Sequence, residues 1–479
     1  MYNYFISIGG SGAKVLESVV HLSMAGIMPH GKIKVFAVDP DNTNGNLNRS
    51  GRVLREYNLL EKLNIGGNTP LFGTKLEIIR PFPWSPVTPN QTLSSLVKFN
   101  NANTPSGELY AALYTRKERE TSLDVGFRGH PSIGAAAFAQ QHFQNSDWKK
   151  FVEDITQKVN QGQPVKVFMA GSIFGGTGAA GIPTISRLLK ESVARNLQDK
   201  LSIGGVLVLP YFNFREDSRD NFYAHSRNFL MNTKAAIVYY SQLQDDAFAS
   251  LYFSGDSVSR VEKFSIGSSE QENGAHIVDL YAALAAANFF HSGGANKFNV
   301  VFHSDSYKFT WSDFPKPTKN SREHFVKFAR FIFAYVYWIK PHITGLIEGM
   351  TNADDHPWFS RLAGNISTDA QNFGRYTESF AAWLKQLETL DGREIQLIKS
   401  YMFEANPCRI TDETALKDNF ASFGYTDDRV TLESVNDVIC DDGLSFLGRL
   451  RKTFGGGNRN TLDFGQFLRR LYDACEVRK

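Results

Sequence analysis

Cysteine is scarce: three residues in 479, Cys408, Cys440 and Cys475, widely spaced and all beyond position 400. An odd, scattered set excludes a disulfide framework and a cysteine zinc site, and it fits a reducing compartment. Neither sign of charge is in large excess, with 52 basic against 49 acidic residues, so no global field is set up for nucleic acid or an acidic membrane. Long hydrophobic runs are missing too. The greasiest segments, residues 278–290 and 331–339, are too short or too interrupted to span a bilayer, and the first residues read as a strand. The expectation is a cytoplasmic protein with no membrane segment and no direct nucleic-acid signature. No glycine loop ends in Gly-Lys-Ser or Gly-Lys-Thr, which sets aside the ordinary P-loop NTPases. What is present, 42% hydrophobic and 21% charged residues, describes a globular chain long enough for two or more domains.

Glycine is concentrated in one stretch. Residues 165–189 read VKVFMAGSIFGGTGAAGIPTISRLL: five β-favouring residues, a loop carrying Gly171, Gly175, Gly176, Gly178 and Gly181, then an apolar-periodic helix with Pro183 near its first turn. A loop so poor in β-carbons can turn successive backbone N–H groups toward one point. The helix that follows adds its positive end, so the natural guest is a phosphate chain, with Thr177 as an extra hydroxyl donor. A flexible surface turn or a close strand-to-helix packing corner is the plainer alternative.

The same pattern opens the chain. Residues 4–8 read as a strand, Gly9-Gly10-Ser11-Gly12 as a tight turn and 13–24 as a helix with Val15, Leu16, Val19, Val20 and Leu22 on its apolar face. A second strand, 32–38, ends in Asp39-Pro40-Asp41-Asn42-Thr43-Asn44, carboxylates and amides suited to a ribose, a metal or its waters, or to a plain solvated turn. Residues 46–125, with Pro81, Pro83, Pro86 and Pro89, read as an insertion or elaborated loop. Gly126-Phe127-Arg128-Gly129-His130-Pro131 precedes a helix at 132–143, and Arg128 could meet a terminal phosphate or lie on the surface. Further helices are expected at 147–159, 219–243 and 276–290, and strands at 204–209 and 251–253. Strands alternating with helices predict an α/β fold: a mostly parallel, Rossmann-like sheet with helices on both faces and ligands at the carboxyl ends of the strands.

In order along the chain, IGGSGAK, VDPDN, GFRGHPSIGAAA, FGGTGAAG and LPYFNFRED resemble the phosphate and sugar loops of the tubulin/FtsZ superfamily, FGGTGAAG matching its glycine signature most specifically. The resemblance covers residues 4–290. It implies a GTPase, with GTP/GDP and Mg2+ as cofactors, that assembles with itself as a head-to-tail polymer. Carried over, Gly9, Gly10, Ser11 and Gly12 hold phosphates, and Gly175, Gly176, Thr177 and Gly178 form the main cradle. Arg128 and Gly129 meet the γ-phosphate, and Asp39 or Asp41 approaches magnesium. Glu216 is the ribose contact; Asp256, Asn273 and His276 are candidates for the guanine edge, with helix capping an equal reading for Asn273. The family's acidic loop, which completes hydrolysis on the neighbouring subunit's nucleotide, has its nearest counterpart at 310–314, making Asp313 the water-orienting carboxylate or leaving that task to Asp305.

The implied layout is a nucleotide-binding domain over 1–275 with an insertion at 47–125, a central helix and acidic loop over 276–315, and a C-terminal α-rich or α+β domain over 316–479. Within the last, helices are expected at 321–349, 376–390, 432–450 and 464–475, a strand at 394–401, and a surface loop at Gly455-Gly456-Gly457-Asn458. The aromatic stripe Phe325, Phe328, Phe331, Phe333, Tyr335 and Trp338 reads as core. The family's asparagine and second acid are absent from the 310–314 loop. A second reading is therefore a hydrolysis-deficient nucleotide-binding sensor, acting with an unidentified adaptor protein in a bacterial defence or DNA-partition system. An NAD-dependent Rossmann enzyme, with Asp39 on the ribose, is the third; it leaves FGGTGAAG without a task.

Overall fold

The computed structural model describes residues 1–63, 65–66, 69–97, 104–140, 146–214, 226–242, 247–256, 260–262, 269, 271–292, 298–300, 314–347, 362, 366–388, 446–455 and 461–475. Strands β1 (Tyr2–Ile8), β2 (Gly31–Val38), β3 (Thr74–Ile78), β4 (Val165–Ser172), β5 (Leu201–Val208), β7 (Ser250–Ser254) and β9 (Phe298–Val300) form a seven-stranded sheet in the order β3-β2-β1-β4-β5-β7-β9. Every pairing in it is parallel. Two short strands, β6 (Phe212–Phe214) and β8 (Arg260–Glu262), pair separately.

Parallel strands covered on both faces need apolar residues at nearly every position. All eight residues of β4 are buried, and so are the last six of β1. Alternate side chains then serve opposite faces. Phe5 and Phe168 join one core with Val15, Leu16 and Val19 of α1 (Gly9–Met24) and Leu280 and Leu284 of α10 (Ile277–Ser292). Tyr4, Ile6, Val167 and Met169 join the other, with Phe138 of α6 (Pro131–Gln140), Phe151 and Ile155 of α7 (Ser146–Asn160), and Ile182 and Ile185 of α8 (Gly176–Glu191). Lys166, the charged exception in β4, donates from Nζ to the carbonyls of Phe289 and Phe290 at 3.4 and 2.8 Å, meeting the unpaired end of α10.

Two regions differ from the expectation. Residues 46–125 are not an insertion of loops: α2 (Gly45–Leu60) packs on α1, and β3 extends the sheet beside β2. The short helices α3 (Leu93–Leu96), α4 (Pro105–Leu113) and α5 (Arg116–Glu120) follow. The C-terminal helices share the sheet's core instead of building their own. Helices α11 (Ser321–Ala334), α13 (Ser367–Glu388), α14 (Phe446–Gly455) and α15 (Phe464–Ala474) belong to the apolar cluster that contains α1 and α10; α12 is Lys340–Ile347, and α9 is Ser226–Gln242. His21 of α1 packs against Tyr376, Phe380 and Trp383 of α13, and the Trp383 indole donates to Ser18 Oγ at 3.0 Å. Of the aromatic stripe, Phe325, Phe328, Phe331, Phe333 and Tyr335 are core, Phe331 meeting Phe373 and Tyr472 and Tyr335 meeting Phe373; the Trp338 side chain lies outside the described residues. The expected strand at 394–401, most of the expected helix at 432–450 and the Gly456-Gly457-Asn458 loop lie outside the described residues. Among the described residues no helix is long and apolar enough to cross a membrane.

Candidate functional site

From β1 the chain winds outward to β2 and β3, then returns on the other side of β1 as β4. The strand order reverses there, so the turns leaving β1 and β4 stand side by side, which is where parallel α/β sheets bind ligands. The first turn is left-handed at Gly9, φ 70°. The two turns touch: a β-carbon on Gly9 would lie 3.2 Å from Thr177 Cβ. A β-carbon on Gly12 would sit 2.5 Å from the Ala170 carbonyl, and one on Gly178 2.4 Å from the Ser172 carbonyl. Gly12 is therefore required by the close approach of the two strand-helix units, and Gly178 by the tight return of α8 onto the end of its own strand, β4.

Neither helix has a side-chain cap at its N-terminus, and neither has an acid in its first turn. Their leading N–H groups and positive dipole ends face a cavity of about 150 Å³ lined by both turns. Residues 125–129 supply another wall, with Gly126, Arg128 and Gly129 at φ 82°, 48° and 76°. Asn232 of α9 ties this loop to the second turn, its amide donating to the carbonyls of Phe174 at 3.0 Å and Gly129 at 3.3 Å. Beside it stand the rings of Phe174, Phe212 and Phe229.

The end of β2 adds acids. The Asp39 N–H donates to the Trp84 carbonyl at 3.1 Å, and Asp39 Oδ1 accepts from the Asp41 N–H at 3.0 Å. Asp39 Oδ2 is buried with no partner among the described residues. Burial pushes this carboxyl up to about 8; the Asp41 N–H works against the shift and the Asp41 charge adds to it. Asp41 Oδ1 accepts from the Thr43 N–H and hydroxyl at 3.0 and 2.7 Å. Asn44 caps α2 through Oδ1 and donates to Gln271 Oε1 at 2.8 Å. The Asn273 N–H donates to Asn46 Oδ1 at 2.9 Å, and Arg49 Nη1 to the Asn273 carbonyl at 2.9 Å. Arg49 Nε also donates to Glu17, whose carboxyl burial raises in spite of that guanidinium.

The floor is charged. Lys14 Nζ donates to the Tyr211 hydroxyl at 2.7 Å and stands 3.1 Å from Asp279 Oδ2. Behind Tyr211, its ring packed at 4.7 Å, lies His276. His276 Nδ1 accepts from the Val278 N–H, and Asp279 Oδ2 accepts from the His276 N–H, a reciprocal cap on α10. His276 Nε2 is 3.7 Å from Asp256 Oδ2.

Of the residues singled out in the sequence, Gly9, Gly10, Ser11, Asp39, Asp41, Arg128, Gly129, Gly175, Gly176, Thr177, Gly178 and Asn273 line this one cleft. Gly12 lies beneath it, and Asp256 and His276 stand behind Tyr211, outside the lining; the cap of α10 is His276 and not Asn273. Glu216, Asp305 and Asp313 lie outside the described residues. Lys14, Gln271, Tyr211 and Asn232 were not singled out. For Lys14 a signal existed, a lysine preceding Val15, Leu16 and Val19 on a helix whose face is otherwise apolar. Among the described residues no cluster of three or more His, Cys, Asp or Glu could hold a metal unaided. The sequence matches no known protein family and no curated protein.

Proposed function

We propose that the cleft takes the phosphate chain of a nucleotide, and that the chain is a tubulin/FtsZ-like GTP-binding protein assembling head to tail in a nucleotide-dependent way. The observation that carries this reading is the contact of the Gly9 and Thr177 turns at the reversal of the strand order. Two uncapped helix ends offer N–H donors and favourable field to an anion, each worth about 0.3 to 1 kcal/mol at an exposed site and more when dry. Lys14 and Arg128 add cationic side chains to the lining, and the amides of Asn44, Asn46, Gln271 and Asn273 suit a ribose or base edge.

Magnesium fits the residues present. Asp39 offers a buried carboxyl oxygen with no partner among the described residues, Asp41 lies two residues on, and this ion is commonly held by one or two carboxylates together with phosphate oxygens and water. Bound there, it would neutralise charge on the phosphates. The other residues position the chain: the two turns by N–H donation, Asn232 by fixing one wall to the other. Hydrolysis is assigned to Asp313 of a neighbouring copy.

An acid at the end of β2 in this strand order also suits a dinucleotide ribose, so the test includes NAD. Purified protein would be titrated with GTP, ATP and NAD, then sedimented while phosphate release is followed. GTP binding with GTP-dependent pelleting is the expected result. Binding without pelleting or phosphate release supports the sensor reading, and binding of NAD alone rejects both.

A further inference from the structure

We propose that Lys14 is a direct phosphate contact held in reserve by Asp279, so that the Asp279 carboxylate lowers the cleft's affinity for anions. This rests on the reading of the cleft as a phosphate site and assigns a regulator to it.

Lys14 lines the cleft and is nevertheless 2% exposed. It sits in the second turn of α1, directly below the uncapped N–H groups of that helix. Its partner Asp279 is fully buried in the first turn of α10. Taking two charges out of water is costly, and a buried pair is on balance a poor source of stability. A pair placed in the wall of an anion-shaped cleft has another use.

The two members are not held alike. Asp279 keeps a hydrogen bond from the His276 N–H at 2.8 Å and the favourable field of a helix N-terminus whichever way Lys14 turns. Its Oδ1 has no partner among the described residues, so its surroundings do not compensate it fully even with Lys14 in place. Lys14 is a compact charge on a flexible four-carbon stem, able to move its ammonium while α1 stays fixed. An incoming phosphate chain competes with Asp279 Oδ2 and the Tyr211 hydroxyl for that ammonium. Energy spent in parting Lys14 from Asp279 is subtracted from the energy of binding.

Opposite signs for the two partners follow. Lys14→Met should weaken binding of GTP and of inorganic triphosphate by about tenfold or more, the range of a hydrogen bond to a charged group. Asp279→Asn keeps an acceptor for the His276 N–H and removes the competing charge. It should tighten both ligands several-fold and enlarge the thermal shift they produce, while lowering the melting temperature of the empty protein. A merely structural pair would weaken binding in both variants. If Asp279→Asn does not fold, Tyr211→Phe removes a second competing acceptor and should also tighten binding. Wild type that binds neither GTP nor triphosphate rejects the phosphate site itself. Wild type that binds, with Lys14→Met binding equally well, or with Asp279→Asn or Tyr211→Phe binding more weakly, overturns the role of Lys14 and leaves the site standing.

Discussion

At Asp39 the fold keeps a carboxyl that burial pushes up to about 8. In the unfolded chain the same group ionises near pH 4. The folded protein therefore binds more protons between those values, so this contribution to stability is complete below about pH 4 and is lost as pH rises through about 8. Asp39→Asn cannot ionise. Its unfolding free energy, relative to wild type without ligand, should rise between pH 5 and pH 8 by at least about 1 kcal/mol. Urea titrations at both pH values measure this, and parallel pH dependence in the two proteins contradicts it. The sequence showed acids ending a strand, yet nothing in VDPDN tells that both carboxyls are buried or that Asp39 Oδ2 is left without a partner among the described residues; Trp84 joins the end of β2 there from a separate stretch. Lys14 was hidden differently. Its partners Tyr211 and Asp279 are far away in sequence, so only the fold shows that this lysine is buried with a charge and a hydroxyl.

Two strand-glycine-helix elements meet at the site, with Gly12 where they cross and Gly178 at the bend inside the second. Gly178→Ala would place a methyl 2.4 Å from the Ser172 carbonyl, backbone that cannot step aside. The expected cost is about 1 to 3 kcal/mol, as for overpacking elsewhere, and nucleotide affinity should fall by at least about tenfold because the start of α8 is pushed off the end of β4 and the second turn loses its shape. Denaturant titration and equilibrium binding check the two halves of this prediction; an unchanged affinity contradicts it. The elements themselves were largely legible. Buried parallel strands such as VKVFMAGS announce themselves by a mostly apolar run, Lys166 apart, and the glycine turns by composition. The second helix and third strand were not. GNLNRSGRVLREYNLL carries two glycines and many polar residues, and TKLEI is a short edge strand with charges at alternate positions, so neither stands out beside four prolines in the following stretch.

Across the whole molecule one apolar core runs from the sheet through α1 and α10 into the C-terminal helices. Among the described residues, packing continues across residue 316, where the sequence placed a domain boundary: Trp383 seals the back of α1, and Gln386 accepts from the Ala275 N–H at 2.8 Å, just ahead of α10. Trp383→Ala should cost about 3 to 5 kcal/mol. Because the tryptophan joins both halves, the loss should appear in a single unfolding transition by circular dichroism; two separate transitions would mark independent domains. The aromatic stripe gave the C-terminal helices away as core, but periodicity alone cannot say which core a helix joins. The cleft lies on the far side of this shared interior from no single element: β1, β2, β4, β5, α1, α8 and α9 or the loops beside them all lend residues to it. The most direct measurement of its purpose is amide hydrogen exchange with and without saturating GTP. The account predicts that the N–H groups of residues 9–12 and 175–178, more than 160 positions apart in the chain, become protected together. Protection of one turn alone, or of neither, would contradict a shared phosphate chain.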